Sequence, residues 1–404
     1  MLQPSIYRLR LQDILTICVL GLLCLGILMV QSAAMNITEQ TTQWHWTDRG
    51  AKHLLYVAIA LLTFFAIGHL NFEKLAARKT QIAIASIAVA LLTCILVLLP
   101  HIGTSVKGAR RWLPLGFTQV QPSELAKWAV VIFLAAALSN ENRKSKIENR
   151  KFLPLLLILL PIAAICLLVV IEDFGTAFLI ALCTLTILLV ARVKLWHIAL
   201  LAPPAIAAGV WFITHKSYRM TRMMSFRDPF ANPQREGYHM IQSLLSFSTG
   251  GLFGTGLGRG IQKLGYLPED TTDFIFAVIC EELGLFGALL VIALYLGILY
   301  VAWQSIRSIQ IENRKSKIEN FAQLLTFGIA AMIALQALIN IAVATVSVPP
   351  KGMSLPLVSA GGSGLVITSA ALGLLYSICR SKPHALPCVD SEDSPNIGKP
   401  ALAM

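Results

Sequence analysis

The sequence predicts an all-α, polytopic membrane protein with ten transmembrane helices and one large extracytoplasmic loop. Three observations carry that prediction. Of 404 residues, 56% are hydrophobic and only 13% are charged, where a soluble domain carries about 25% charged residues. Ten apolar stretches are long enough, or nearly so, to cross a bilayer. The Lys and Arg residues between those stretches fall mainly on one side.

The spans follow in order. The first, 14–33, is preceded by "YRLRLQD" and is too long for a cleaved signal segment, so it reads as an uncleaved anchor. The second and third, 53–71 and 80–100, flank "FEKLAARK", a basic turn. The fourth, 124–139, is short and starts inside "QPSELAK". The fifth and sixth, 153–171 and 176–193, meet at "IEDFGTA". The seventh, 195–214, leads into the only sizeable polar segment, 215–273. The eighth, 274–303, is long; the ninth and tenth are 321–345 and 361–379. Residues 1–380 thus form one transmembrane domain. The Pro- and Ser-rich 381–404 reads as a disordered cytoplasmic tail.

Orientation comes from charge. With the N-terminus inside, the inner segments hold 19 of the 33 Lys and Arg residues, and the short outer loops hold 6. Both termini are therefore expected in the cytoplasm, with the chain multi-pass in the membrane. The net charge of +12 speaks for orientation and anionic membrane lipids as partners, not for nucleic acid. The cysteines lie in or beside apolar spans or in the tail, with no disulfide or metal spacing.

Two features need a reading. "ENRKSKIEN" occurs at 141–149 and again at 312–320, both in expected inner loops. It reads as a polar linker that tolerates deletion, the alternative being a docking tag for a cytoplasmic partner. "STGGLFGTGLGRG" places six glycines within 250–260 but lacks the G-K-[ST] of a phosphate loop. Glycines there are expected to let the backbone lie close to the membrane surface or to a bulky headgroup.

Four groups on the expected outer side could carry chemistry. Arg110 and Arg111 precede Trp112, and Glu124 and Lys127 share a helix face at i, i+3. That pair is either part of a site or an internal ion pair that lets both charges enter the membrane. Asp173 sits at a turn, where a helix cap is the plain alternative to a site. "GYLPEDTTDFIFAVICEELG" (265–284) puts Asp273 at the start of a span, with Glu281 and Glu282 about two turns deeper. Those two point about 100° apart, so at most one is expected to face a given cavity. "VSVPPKGMSLPLVSAGGSG" (346–364) carries Lys351 after two prolines. Irregular backbone at that depth belongs around a cavity or inside protein. A carboxylate beside basic groups suits a lipid-pyrophosphate substrate at the outer leaflet.

The chain resembles the SEDS family, the bacterial cell-division and cell-shape proteins FtsW, RodA and SpoVE. The resemblance rests on "GARRWLPLG…QPSELAK", "DFGTA", "GYHMIQSLLSFSTGGLFGTGLGRGIQKLGYLPEDTTDFIFAVICEELG" and "PPKGMSLPLVSAGGSG", in the family's order up to about residue 380. "KLGYLPEDTTDFIFA" is more similar to the FtsW and SpoVE branch. Departures are "IEDFGTA" for the family's "QPDLGTA", "PPKG" for "PTKG", and "SAGGSG" for "SYGGSS", which loses an aromatic at Ala360.

The resemblance implies a peptidoglycan glycosyltransferase that polymerises lipid II during cell division. It puts the family's essential aspartate on Asp273. It puts substrate-binding roles on Arg111, Glu124, Lys127, Asp173 and Lys351; Glu281, deeper in the span, joins them as a candidate site residue and is the one that keeps a transport reading open. It implies a class B penicillin-binding transpeptidase and other division proteins as partners. It leaves room for a divalent cation, Mg²⁺ or Mn²⁺, although the sequence holds no dedicated metal site. Rival readings are a lipid II flippase, which would need charges continuing to mid-membrane, a RodA-like elongation polymerase, and a scaffold that only recruits the transpeptidase.

Overall fold

The computed structural model describes residues 9–34, 48–100, 102–106, 109–115, 118–140, 152–215, 217–235, 237–311 and 317–381. The tail 382–404 and the first "ENRKSKIEN" copy lie outside the described residues, as do residues 312–316 of the second.

Each of the ten expected spans is a helix. In chain order the helices are α1 (Leu11–Ala33), α2 (Asp48–Gly68), the short α3 (Phe72–Ala77), α4 (Lys79–Leu98), α5 (Pro122–Leu138), α6 (Leu153–Glu172), α7 (Phe174–Val190), α8 (Leu195–Thr214), α9 (Ser217–Arg227), α10 (Tyr238–Gly250), α11 (Ile275–Ile311), α12 (Lys317–Ala344) and α13 (Gly362–Ser381). Eight are long and apolar enough to cross a membrane. The fourth and sixth expected spans, α5 and α7, have 17 residues each, about 26 Å at 1.5 Å per residue.

Local chemistry explains the ends. Pro122 occupies the first turn of α5, where its missing N–H costs nothing. Asp173 caps α7 by accepting from the Thr176 backbone N–H at 3.2 Å and its hydroxyl at 2.7 Å. The cap reading of Asp173 therefore holds in the structure.

Three findings differ from the all-helix expectation. First, residues 104–120 contain a three-stranded antiparallel sheet, β1 (Thr104–Val106), β2 (Ala109–Leu115) and β3 (Thr118–Val120), ordered β1-β2-β3. Thr104 pairs with Trp112 and Leu113 with Val120, so the strand carrying Arg110 and Arg111 is held on both edges. Second, the long eighth span is broken: Gly284 has φ 65° and ψ −157°, which separates a short N-terminal piece of α11 from a long C-terminal one. Third, the segment 215–273 is partly helical and packs on the bundle, with α10 lying along α11.

α12 is the hub. It contacts α5, α7, α11 and α13, and its apolar positions Leu325, Ile329, Met332, Ile333 and Ala337 are buried. α13 packs along α2 and α1 along α11. α8 is the exception, exposing Leu195, Trp196, Leu200, Ile206, Val210 and Trp211. Such a face is stable only against lipid or another apolar surface.

Candidate functional site

Two loops meet above the hub. One is the stretch before α11, ending at Asp273; the other is 349–361, before α13. Their backbones are tied together. The Ala360 N–H donates to the Thr271 carbonyl at 2.9 Å. The Ser359 hydroxyl donates to the Thr272 carbonyl at 2.6 Å and accepts from the Leu355 N–H at 2.7 Å. Asp273 is half-buried. Its carboxylate lies against Gly352: a Cβ there would sit 2.8 Å from Oδ2. Glycine at 352 is thus what lets the "PPKG" loop close over Asp273.

The neighbouring Lys351 points to α7. Its Nζ lies 4.5 Å from the centre of the Phe174 ring and 4.4 Å from that of Phe178, a cation–π cradle for an ammonium. Its Cδ would be 3.6 Å from a Cβ at Gly175, beside the capping Asp173. On the other side of Asp173, Arg111 donates through Nη2 to the Glu172 carbonyl, and the Arg110 N–H donates to Glu172 Oε2 at 2.9 Å. A small cleft here is lined by Arg110, Arg111, Ser123, Glu172 and Asp173. Arg111 Nε is buried in it with no protein partner.

Glu124 and Lys127 form the expected pair, 2.8 Å apart, with Lys127 1% exposed. Lys127 also donates to Gln336 Oε1 of α12 at 2.7 Å. Glu124 packs against Gly364, where a Cβ would sit 3.0 Å from Oε2. The structure shows the internal ion pair, set against the start of α13.

Glu281 is placed differently. It is fully buried, and its carboxylate accepts from the Ile261 N–H at 2.8 Å and the Gln262 N–H at 3.2 Å. Glu282 is also fully buried. It accepts from Gly258 and Gly260 N–H groups and from the Ser32 hydroxyl, and pairs with Lys263 at 2.7 Å. Both glutamates thus face the same glycine-rich segment, against the 100° expectation, because that segment wraps the broken turn at Gly284. Two of the glycines approach backbone: a Cβ at Gly254 would sit 2.1 Å from the Glu282 carbonyl oxygen, and one at Gly250 1.9 Å from that of Cys280.

Outside the spans, burial pushes the Asp270 carboxyl up to about 6, while the Thr271 N–H and then Arg49 pull it back. Among the described residues no three His, Cys, Asp or Glu side chains converge as a metal-ligand set.

Sequence reasoning singled out Arg111, Glu124, Lys127, Asp173, Asp273, Lys351 and Glu281. Lys351 lies beside Asp173 at the start of α7, Gly352 abuts Asp273, Arg111 bonds to Glu172 at the end of α6, and Lys127 reaches Gln336 of α12. The sequence reading passed over Gln336 and Asn340, two amides four residues apart in the otherwise apolar stretch 327–344. That polar pair at helical spacing was the available signal.

Residues 12–384 match the family model described as "Cell cycle protein", that of FtsW, RodA and SpoVE. A protein of Dichelobacter nodosus named probable peptidoglycan glycosyltransferase FtsW is 37% identical, over 92% of this chain and 91% of its own length. One of Aliivibrio salmonicida with the same name is 37% identical over 89% and 86%. Among solved structures, a chain of a peptidoglycan synthase complex that coordinates polymerization and crosslinking aligns with TM-score 0.67 at 24% identity, covering 91% of this chain and 97% of that one. The rod shape determining protein RodA of Thermus thermophilus aligns with TM-score 0.57 at 24% identity, covering 91% and 96%. At that identity the two structures bear on the fold alone.

Proposed function

The chain belongs to the family of FtsW, RodA and SpoVE, and on that premise we propose how it works as a peptidoglycan glycosyltransferase of the FtsW type in cell division. It is a multi-pass membrane enzyme. Its substrate is lipid II, met at the outer face of the cytoplasmic membrane, with both termini in the cytoplasm.

Asp273 is the general base. It takes the proton of the 4-hydroxyl of the acceptor GlcNAc, whose oxygen attacks C1 of the MurNAc at the end of the donor chain. The C1–O bond to pyrophosphate breaks, undecaprenyl pyrophosphate leaves with the bonding pair, and the anomeric centre inverts. Pyrophosphate is a good leaving group, so cations serve it better than an acid. Arg111, Lys127 and Lys351 supply them, and Asp173 and Glu124 orient the two basic flanks. The observation that supports this reading is the closure of the Lys351–Gly352 loop over the Asp273 carboxylate, with Gly352, the neighbour of Lys351, against the proposed base. Glu281 holds backbone amides of 261 and 262, which supports a role in seating the loop rather than a relay for lipid transport. A class B penicillin-binding transpeptidase is the expected partner for crosslinking.

The test is polymerisation of purified lipid II by the purified protein with its cognate transpeptidase. Asp273→Asn keeps the shape and removes the base. It should lower the rate by ~10²-fold or more without loss of protein or partner, and Glu281→Gln should cost less. Full polymerisation by Asp273→Asn, with Glu281→Gln abolishing lipid movement, would hand the protein to the flippase reading.

A further inference from the structure

Gln336 and Asn340 lie one turn apart on the face of α12 beneath both loops. Both are buried, at 4% and 1% exposure. The orientation of Gln336 follows from its partners. Lys127 can only donate, so Oε1 faces its Nζ at 2.7 Å, and Nε2 is left to donate to the Ser354 carbonyl at 2.8 Å. Asn340 uses Nδ2 twice, toward the Asp273 carbonyl at 2.9 Å and the Met353 carbonyl at 2.6 Å. Its Oδ1 is buried without a protein partner. The position therefore uses the amide for its NH₂, and a carboxylate or a hydrocarbon of the same shape could not replace it.

Together the two amides join four pieces of chain: the Glu124–Lys127 helix, α12 itself, the 349–361 loop at Met353 and Ser354, and the residue Asp273. Asn340 bonds both to the backbone of Asp273 and to that of the loop carrying Lys351.

We propose that Gln336 and Asn340 are positioning residues for glycosyl transfer, a two-rung amide ladder that sets Asp273 at a fixed height against the Lys351 loop and the Glu124–Lys127 pair. The proposal rests on the reading of Asp273 as the base. Neither amide touches substrate; each acts through the groups it holds. The bland competitor is that polar side chains merely glue membrane helices together. Positioning makes different demands, because a displacement near 1 Å at a reacting group costs ~10²-fold in rate.

The experiment measures lipid II polymerisation with the full-length protein and its transpeptidase, scoring kcat and KM separately alongside thermal unfolding in detergent. Asn340→Leu should lower kcat about 10- to 100-fold with KM moving less than about 3-fold. In the Asp273→Asn background the same change should cost almost nothing, since no base remains to be positioned. Asn340→Asp guards against a folding defect, being read within one polypeptide. Its ionised carboxylate opposes two carbonyls, whereas the protonated acid regains one donor. Its activity relative to the unsubstituted protein should thus rise as pH falls from 8 to 5. Gln336→Glu should behave likewise, keeping the Lys127 contact throughout. If Asp273→Asn is inactive while Asn340→Leu and Gln336→Leu keep normal kcat, the ladder is only helix glue and the proposal fails. A flat pH ratio for Asn340→Asp, or equal losses from Asn340→Leu in both backgrounds, overturns it too. Normal activity of Asp273→Asn would instead sink the reading of the base, a separately recognisable result.

Discussion

Lys263→Met tests whether the glycine-rich segment is latched to the bundle by charge. The Lys263 ammonium and the Glu282 carboxylate are 2.7 Å apart with both side chains fully buried. Removing one member of such a pair typically costs ~3–5 kcal/mol, because a bare charge stays behind. Here the carboxylate would keep the Ser32 hydroxyl at 2.8 Å and the Gly258 and Gly260 N–H groups at 3.0 and 3.3 Å. Those donors place the cost at the low end, about 3 kcal/mol, or ~150-fold in the unfolding equilibrium. The double variant Lys263→Met/Glu282→Gln removes both charges. Gly258 and Gly260 bond different carboxylate oxygens, so the amide can accept from one of them and donate to Ser32 while the other N–H loses its acceptor; the double variant should recover part of the loss and stay ~1–2 kcal/mol below the starting protein. Denaturant unfolding in detergent of all four members of the cycle gives the numbers. A single variant within ~0.5 kcal/mol of the parent, or a double variant worse than Lys263→Met, would show that the pair does not act as a desolvated ion pair.

Gly254→Ala should unseat the same segment, since its φ is +79° and a Cβ would sit 2.1 Å from the Glu282 carbonyl oxygen; limited proteolysis should cut 251–265 in this variant and spare the parent. Asp270 carries a carboxyl raised to about 6 from 3.8. The fold therefore favours its neutral form, and that stabilisation is present below pH 4 and lost as pH rises through 6. Asp270→Asn should accordingly raise the unfolding temperature at pH 7.5 and leave it unchanged at pH 4; an equal shift at both would refute the assignment. Deleting 141–149 should leave polymerisation almost unchanged. Deleting 312–320 should cost more, because Lys317–Asn320 already belong to α12 and Glu319 is buried at 8% exposure.

The spans were legible because a bilayer demands about 20 apolar residues and the chain supplies them in blocks. The Glu124–Lys127 pair was legible for the same kind of reason: three residues on a helix is a geometric statement. Asp173 could be read as a cap from its place before Gly175 and Thr176. What stayed hidden depended on partners distant in sequence. The break at Gly284 lies in "EELG", which looks helical, and it forms only because Gly251, Thr255 and Gly256 bond to it. The strands at 104–120 are too short to declare themselves without one another. The amides Gln336 and Asn340 had helical spacing in plain view, but the carbonyls they serve belong to residues 273, 353 and 354.

The broken turn at Gly284 also constrains how the candidate site can move. Hydrocarbon offers no hydrogen bonds, so a peptide group bared inside a bilayer costs several kcal/mol. The carbonyls of Glu281 and Glu282 are met by the N–H groups of Thr255 and Gly256 at 2.9 and 3.0 Å, and the N–H of Leu285 by the Gly251 carbonyl at 3.0 Å. Swinging the segment away would strand three peptide groups at once. The segment and the N-terminal piece of α11 therefore travel as one body, with Asp273 riding between them. Slow hydrogen exchange should protect the amides of 255, 256 and 285 as a single cooperative unit, opening together or not at all.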